Sequence, residues 1–514
     1  MSIDSKDAPP TAPGTAPRDN RRWWILVVVA SAQFMVGLDA TVVNVMLPQL
    51  QRSIGLSVSN TQWVMSIYVL LFGGLMLMGG RLTDVLGRRR VLLSGMALFI
   101  IGSILAAESH GTSQLLTARA LQGLGAAALA PAALSIMVTT FPEPAERAKA
   151  FGVWGTVIGV GASIGTLLGG AIIDVGWRWA FYINIPIGAV IAIAAIMLVP
   201  AKRPTGPRPP ADVAGGLTST AGLLLLVYGI TAIGSRGWSD PVTLGSFAAA
   251  IVLLALFVRV EQRSSAPLVP LRLFKHRGLA TAGMGQILAA GVMLPCFFLL
   301  PQFMQTVLGY SPLQTGLAYI PTSLAMMIVA PAVSKIIART GPRVLYLVGT
   351  VVLGGTLALM LGSTVHASYW ALLLPVTALL GVGLVLCLIT ASVVGTSQVT
   401  DEDAGIVSAM LNSASEIGGA LGLTVAATLL QTRTAHLVSH GSNPLDAFNQ
   451  GLHRGFGVLF VWIALGLLVG FIGFRGLTVA APDTAPAAAP DTAPEPVPVP
   501  ADEPGALTSV PTAG

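Results

Sequence analysis

Long apolar runs are the feature that most restricts what this chain can fold into. Most of them are about 20 residues long, the length that a helix needs to cross a bilayer, and they are apolar on every side. Inside a membrane only helices and closed barrels satisfy their backbone groups. Barrel strands would be about ten residues long with alternating polarity, and these runs do not alternate. The sequence therefore predicts an all-α polytopic membrane protein.

The composition agrees with a membrane protein and argues against a soluble one. Hydrophobic residues make up 54% of the chain and charged residues 10%, whereas a soluble domain carries about 25% charged residues. The net charge of +6 does not indicate a nucleic-acid partner, because the basic residues cluster in alternate loops. Cys296 and Cys387 both lie in apolar runs, so we interpret them as small core side chains and not as a disulfide.

The hydropathy pattern predicts fourteen transmembrane helices, which places both termini on the same side of the membrane. Their approximate bounds are 23–48, 61–80, 91–107, 113–140, 149–173, 179–200, 213–234, 242–260, 278–307, 314–338, 343–362, 369–397, 404–430 and 454–475. With the N-terminus inside, the inner segments hold 22 of the 28 Lys and Arg residues. The positive-inside rule then predicts cytoplasmic termini. The polar segments 1–20 and 478–514 are expected to be disordered tails.

An internal repeat divides the helices into two groups of six. The segment from Gly80 to Arg90 has a weaker copy at Ser334 to Arg343, and glycines of the run 113–140 recur in the run 369–397. A similar offset relates the glycines near residue 165 to those near residue 420. We therefore predict an N-terminal half at 21–200, a C-terminal half at 263–477, and a linker with two inserted helices at 201–262. Repeated halves around a site at the midplane are the architecture of secondary transporters.

These motifs resemble those of the major facilitator superfamily, and specifically its fourteen-span drug:proton antiporters. The resemblance covers nearly all of residues 21–475. It rests on Gly80–Arg90, Leu115–Ala127, Leu38–Pro48, Trp177–Pro186 and Pro267–Phe274. It implies a major-facilitator-type fold and alternating access driven by protons, with no cofactor, and we expect a monomer.

The resemblance also implies a cytoplasmic gate and a helix-packing motif. The gate residues would be Gly80, Asp84, Gly87, Arg88 and Arg89, with Asp84 forming a latch against Arg88 and the helix that starts at Pro342. The antiporter-type motif of the fifth helix would be Gly161, Gly165, Gly169 and Gly170. Thr166 stands where that motif usually has proline. This departure should leave the helix straighter, because the backbone N–H is retained, and it weakens the inference of exchange over symport.

Three ionisable residues lie within predicted spans, namely Asp39, Arg119 and Glu416. A charge at such depth costs several kcal/mol and usually marks a functional site. At helical spacing, Gln122 shares a face with Arg119, and Asn412 shares one with Glu416. Asn44 lies on a polar stripe that points away from Asp39. We expect Arg119, Gln122, Asn44 and Asn412 to supply polar groups to the transport cavity, with an Asp39–Arg119 pair as one possibility.

Two hypotheses for the coupled proton follow. In the first, Asp39 carries it, as the resemblance implies. In the second, Glu416 carries it and Asp39 is the structural partner of Arg119, because a nearby arginine favours an ionised carboxylate whereas apolar surroundings favour a protonated one. We favour Asp39 at this stage.

The sequence thus predicts an exporter of hydrophobic or amphipathic drugs in a bacterial cytoplasmic membrane, driven by the proton gradient. An exporter of one specific metabolite, or a solute:proton symporter of the same fold, is the alternative within transport. A membrane-embedded enzyme is the alternative outside it. The six histidines show no spacing typical of a metal site, and the chain has neither a P-loop lysine nor a nucleophile elbow. We therefore expect no metal.

Overall fold

The structure is a computed structural model. It describes residues 21–141, 175–201, 212–264, 267–269, 271–397 and 401–477, with scattered positions between 142 and 174. The predicted tails 1–20 and 478–514, most of the linker 201–211 and most of the predicted span 149–173 lie outside the described residues.

Every extended regular element of the described residues is a helix, and the fold is the predicted all-α polytopic one. Thirteen helices in this part of the chain are long and apolar enough to cross a membrane. Their bounds are α1 Arg21–Ile54, α2 Val58–Leu86, α3 Arg88–Ala107, α4 Thr112–Thr140, α5 Trp179–Leu198, α6 Val213–Arg236, α7 Pro241–Arg263, α8 Arg277–Val307, α9 Pro312–Ala318 with Ile320–Thr340, α10 Pro342–Leu361, α11 Tyr369–Thr396, α12 Asp401–Ser439 and α13 Pro444–Gly473.

Several helices are longer than the apolar runs that predicted them. Helix α12 continues to Ser439, and α13 begins at Pro444, ten residues before the predicted start at 454. The added turns of α13 are amphipathic and include Asp446 and His453. Hydropathy marks only the part of a helix that suits hydrocarbon, so polar turns beyond the membrane interior escape it.

Arginine side chains join the helix ends and define the two ends of the bundle. At the end where α1 begins, here called the near end, Arg21 donates to the carbonyl of Leu198 at 3.1 Å and Arg89 donates to that of Val199 at 3.2 Å. At the opposite or far end, Arg178 donates to the carbonyl of Ser109 at 3.1 Å. The helices therefore alternate in direction, as the predicted topology requires.

Equivalent glycines make equivalent contacts in the two halves, which confirms the internal repeat. In the N-terminal half, Gly123 of α4 lies against the backbone of α2, and Gly125 lies against that of α3. In the C-terminal half, Gly381 of α11 lies against the backbone of α9, and Gly383 lies against the side chain of Leu353 in α10. Small residues allow helices to approach this closely in a membrane.

The two inserted helices pack beside the junction of the halves. Helix α6 contacts both α2 and α12, and α7 packs on α6. Gly74 of α2 abuts Thr220 of α6, and Gly234 of α6 abuts Thr428 of α12. The inserted pair therefore covers the edge of the contact between α2 and α12. We call this contact between α2 and α12 the seam.

The halves also meet near the far end, where α1 approaches α8 and α9. Gln305 of α8 donates to the carbonyl of Val45 in α1 at 2.8 Å. Thr41, Asn44, Phe297 and Tyr319 line a small cavity beside this bond. This hydrogen bond and its packing hold the halves together on the far side of the midplane.

We predict that Gly422→Ala destabilises the protein. A side-chain carbon at Gly422 would overlap the backbone carbonyl of Gly291 in α8, and overpacking against a backbone costs about 1–3 kcal/mol. Gly283→Ala in α8 is the matched control, because nothing lies within 4 Å of its new carbon. Thermal unfolding in detergent should show a lower midpoint for Gly422→Ala only, and equal midpoints would contradict the close approach of α8 and α12.

Candidate functional site

A buried cluster around Asp39 joins five helices of the N-terminal half. Asp39 of α1 is 1% exposed and Arg119 of α4 is 0% exposed. Arg119 Nη1 donates to Asp39 Oδ2 at 2.6 Å. Two amides donate to the other carboxylate oxygen, Oδ1: Gln122 Nε2 at 3.0 Å and Asn184 Nδ2 of α5 at 2.8 Å. Asp39 thus accepts three hydrogen bonds inside the helix bundle.

The same cluster holds the arginine in place. Arg119 Nε donates to the carbonyl of Val64 in α2 at 3.1 Å, and its Nη1 also reaches Gln122 Oε1 at 2.8 Å. The ring of Tyr68 lies 4.2 Å from the Arg119 guanidinium carbon, which is a cation–π contact. Gln122 also donates to Ser103 of α3 at 2.9 Å. Arg119 and Gln122 can act together because side chains three residues apart on a helix lie on the same face.

This arrangement pairs Asp39 with a cation and with further donors inside the helix bundle. Removing two charges from water costs several kcal/mol per ion, and only good geometry with further hydrogen bonds offsets that cost. Asp39 accepts three hydrogen bonds and Arg119 makes two more, although Arg119 Nη2 has no partner among the described residues. The sequence placed Arg119 and Gln122 at the transport cavity, whereas in the structure both side chains are buried in the helix bundle and bond to Asp39.

Sequence reasoning missed Ser103, Asn184 and Tyr68 as members of this cluster. Asn184 stands in the motif Trp177–Pro186, and an amide inside an apolar span was the available signal. Ser103 is a small polar residue of a type common in transmembrane helices, so it gave no signal. Tyr68 resembled an ordinary packing residue, and only the structure shows that it covers Arg119.

Glu416 occupies a different environment, at the seam between the halves. A side-chain carbon at Gly73 of α2 would overlap the Cβ atom of Glu416 in α12, so Glu416 lies directly against that glycine. Gly73 and Glu416 each lie 15 residues after the first residue of their helix, which is about 22 Å along the helix axis at 1.5 Å per residue. Within the described part of the chain, Glu416 forms neither a hydrogen bond nor an ion pair.

The polar stripe around Glu416 is open toward the near end. Asn412, one turn closer to that end, is exposed, whereas Glu416 is half-buried. Gly419, on the other side of Glu416, is buried against Leu294 of α8. Glu416 therefore lies at the boundary between the exposed and the buried positions of this polar stripe.

Asn44 lies away from the Asp39 cluster, as the helical spacing predicted. It is 7% exposed and lines the small far-side cavity together with Thr41 and Tyr319. Its side-chain oxygen has no hydrogen-bond partner among the described residues. Helix α1 thus presents Asp39 to its own half and Asn44 to the opposite half.

The predicted cytoplasmic gate lies at the turn between α2 and α3. Gly87 has φ +92°, a conformation that glycine adopts without strain, and its N–H donates to the carbonyl of Thr83. Gly80 lies near Pro131 of α4, Arg88 is exposed, and Arg89 bonds to α5 as described above. The side chain of Asp84 lies outside the described residues, so the latch remains a prediction.

The glycine motif of the fifth helix is described at Gly165 and Gly169. Gly165 lies against Thr41 of α1, and Gly169 lies against Val42. In the C-terminal half, Gly422, the counterpart of Gly165, and Gly418, the counterpart of Gly161, both lie against α8. The predictions for Gly161, Thr166 and Gly170 fall outside the described residues.

Comparison with known proteins decides the family. Residues 29–423 match the sequence profile of the Major Facilitator Superfamily. The chain belongs to this superfamily. A puromycin resistance protein of Streptomyces alboniger is 37% identical over 91% of this chain and 94% of its own length. A cephamycin export protein of Amycolatopsis lactamdurans is 37% identical over 81% of this chain and 87% of its own length.

Solved structures of the superfamily share the fold. A bacterial homolog of the human lysosomal transporter Spinster, solved in an inward-facing and unoccupied conformation, aligns with a TM-score of 0.64 at 17% identity, covering 90% of this chain and 98% of that one. A peptide transporter of the POT family in complex with sulfate also gives 0.64 at 17% identity, over 91% and 97%. At this identity the likeness establishes the major facilitator fold alone.

We predict that Asp39→Asn destabilises the protein by about 3–5 kcal/mol, because it leaves Arg119 buried without a counter-charge. The double variant Asp39→Asn/Arg119→Gln should lose less than the two single variants together. Glu146→Gln is the control: it removes the 2.6 Å pair with Arg22, whose side chains are 25% and 32% exposed, and should cost at most about 1 kcal/mol. Denaturant unfolding measures all four, and additive losses would contradict the pairing.

We predict that Tyr68→Phe leaves stability unchanged or raises it, whereas Tyr68→Leu lowers it. The Tyr68 hydroxyl is buried with no partner in the described part of the protein, and Phe keeps the ring over Arg119. Leu removes a cation–π contact of about 0.5–2 kcal/mol. The Leu effect should shrink when it is measured by unfolding in an Arg119→Gln background. Equal losses for Phe and Leu would show that the hydroxyl is bonded.

Proposed function

We propose that this protein exports hydrophobic or amphipathic drugs across the cytoplasmic membrane of a bacterium, driven by the proton gradient. Two relatives are named for puromycin resistance and for cephamycin export, and two others for multidrug resistance and for lincomycin resistance. These compounds differ in chemistry, which supports a substrate class defined by amphipathic character. The chain acts as a transporter, with substrate, protons and the lipid bilayer as its partners.

The observation that carries the proton-coupling part of this proposal is the position of Glu416. It is a carboxyl group at the seam, where the two halves of a transporter move against each other. An ionised carboxylate at membrane depth without a cation has a high free energy. The protonated form of Glu416 is therefore the more stable form in this conformation. A movement of α12 away from α2 would change its surroundings and allow the proton to leave.

Asp39 then has the role that the second hypothesis gives it, as the structural partner of Arg119. Its contact with Arg119 is present in the structure, and this contact was the condition that favours Glu416 as the proton carrier. Protonation of Asp39 would leave the guanidinium of Arg119 without its counter-charge in a buried site. We therefore assign the coupled proton to Glu416 and not to Asp39.

The contacts between the halves support the direction of access. The halves meet beyond the midplane at the far end, through Gln305 and the aromatic packing beside it, whereas the stripe at Asn412 is accessible from the near end. With the predicted cytoplasmic termini, the near end is the cytoplasmic one. The conformation would then be open to the cytoplasm, ready to bind a drug from inside the cell.

We predict that Glu416→Gln abolishes the coupling while Asp39→Asn does not. Purified protein in detergent is mixed with puromycin, and released protons are detected with a pH dye. Wild type and Asp39→Asn should release protons, and Glu416→Gln should bind puromycin without release. If only Asp39→Asn lost proton release while it still bound puromycin, the coupled proton would belong to Asp39.

A second measurement tests export itself. Inverted vesicles with an imposed pH gradient should accumulate puromycin or lincomycin, and the gradient of opposite sign should not drive accumulation. The reverse dependence would identify a symporter. A susceptibility panel in a pump-deficient host would separate a broad exporter from one that carries a single metabolite.

A further inference from the structure

The small far-side cavity lies where the two halves meet, and residues of both halves line it. Helix α1 of the N-terminal half contributes Thr41, Asn44 and Val45, and the C-terminal half contributes Phe297, Pro301 and Tyr319. The space is about the size of one water molecule. It therefore admits one small chemical group of a larger compound, such as an amino or hydroxyl group.

One polar atom at this cavity lacks a hydrogen-bond partner. Asn44 is 7% exposed, and its side-chain oxygen Oδ1 is buried without a donor among the described residues. Gly169 of the fifth predicted span lies against Val42, which is two residues from Asn44 and faces the other side of α1. A buried acceptor without a donor raises the free energy of the folded protein. Beside a cavity, such an acceptor is suited to a donor that enters from outside.

The two hydroxyl groups at the cavity direct their hydrogens to backbone carbonyls. The Thr41 hydroxyl donates to the carbonyls of Gly37 and Leu38 in its own helix, both at 3.0 Å. The Tyr319 hydroxyl donates to the carbonyl of Cys296 at 3.4 Å. Both hydroxyl oxygens therefore present lone pairs, as Asn44 Oδ1 does. A group that enters this space must bring its own hydrogen.

An aromatic pair supplies the apolar part of the site. The rings of Phe297 and Tyr319 are stacked, with centroids 5.5 Å apart and planes inclined by 22°. Tyr319 is 2% exposed, whereas Phe297 is half-buried, so Phe297 is the ring with accessible surface. Aromatic rings attract one another in offset-stacked and edge-to-face arrangements. The site therefore suits an aromatic group that carries a hydrogen-bond donor at its edge.

We propose that Asn44 is a specificity-determining residue, whose Oδ1 accepts a hydrogen bond from an N–H or O–H group on an aromatic ring of the exported compound. The donor enters the far-side cavity, and the ring packs against Phe297. None of the lining residues is acidic or basic, so the subsite selects by hydrogen bonding and shape. This inference rests on the proposed export function and names the part of the substrate that the far-side contact recognises.

Two acridine dyes test the proposal, because they share a planar ring and a positive charge at neutral pH. Proflavine carries two NH₂ groups at the edge of the ring, whereas acridine orange carries two dimethylamino groups, which cannot donate. The dissociation constant of each dye for the purified full-length protein is measured by fluorescence anisotropy in detergent. The quantity compared between variants is the ratio of the two constants, because it cancels any general change in dye binding.

We expect Asn44→Leu to weaken the binding of proflavine roughly three- to tenfold, which corresponds to one hydrogen bond, and to leave acridine orange unchanged. Asn44→Asp keeps an acceptor oxygen and should retain the preference for proflavine. Phe297→Leu should weaken both dyes alike, because it removes the ring and not the acceptor. Since Asn44 Oδ1 has no partner, Asn44→Leu should unfold at the wild-type temperature or above it.

Equal effects of Asn44→Leu on the two dyes would overturn the proposal and would show that the cavity holds water only, while the proposed export function would stand. A thermal midpoint of Asn44→Leu well below that of wild type would also overturn it, because Asn44 would then serve the fold. Binding of neither dye to the wild-type protein would contradict both the subsite and the export function.

Discussion

Burying a charge in a membrane is the constraint on which this structure depends. Asp39 and Arg119 are both fully inside the N-terminal half, where neither could remain ionised alone. Their contact is completed by amides from α4 and α5, by the Ser103 hydroxyl of α3 that binds one of these amides, and by a backbone carbonyl and the Tyr68 ring of α2. Five helices therefore contribute to a single ion pair, and the half that contains it is held as a unit. Such a unit is what alternating access requires, because the halves must move without losing their internal packing.

Close contacts between helices at glycines add to this rigidity without the use of polar side chains. Gly123 and Gly125 bring α4 against α2 and α3, and their counterparts bring α11 against α9 and α10. The seam is built differently. There Gly73 leaves room for the side chain of Glu416, so the contact between the two halves contains a carboxyl group.

The fold was largely predictable from the sequence, whereas the partners within the site were not. Run lengths and loop charges predicted the helices, and matching glycines predicted the halves, because both signals depend on local sequence alone. The contact of Asp39 with Arg119 was one of several possibilities, and Asn184 lies 145 residues from Asp39 in the chain. Which faces of two distant helices meet depends on packing, and no local pattern contains that information. The bonds of Arg119 and Gln122 to Asp39 are of this kind, because they join α4 to α1.

The carboxyl environments in this protein show how surroundings assign roles to the same chemical group. Asp39 accepts hydrogen bonds from a cation and two amides, so it can serve structure. Glu416 has no such partner in the described part of the chain and lies at the contact between the halves, which supports the proposal that it carries the coupled proton. The sequence shows acids within apolar runs, but only the partners that each one meets separate a structural charge from a candidate proton carrier.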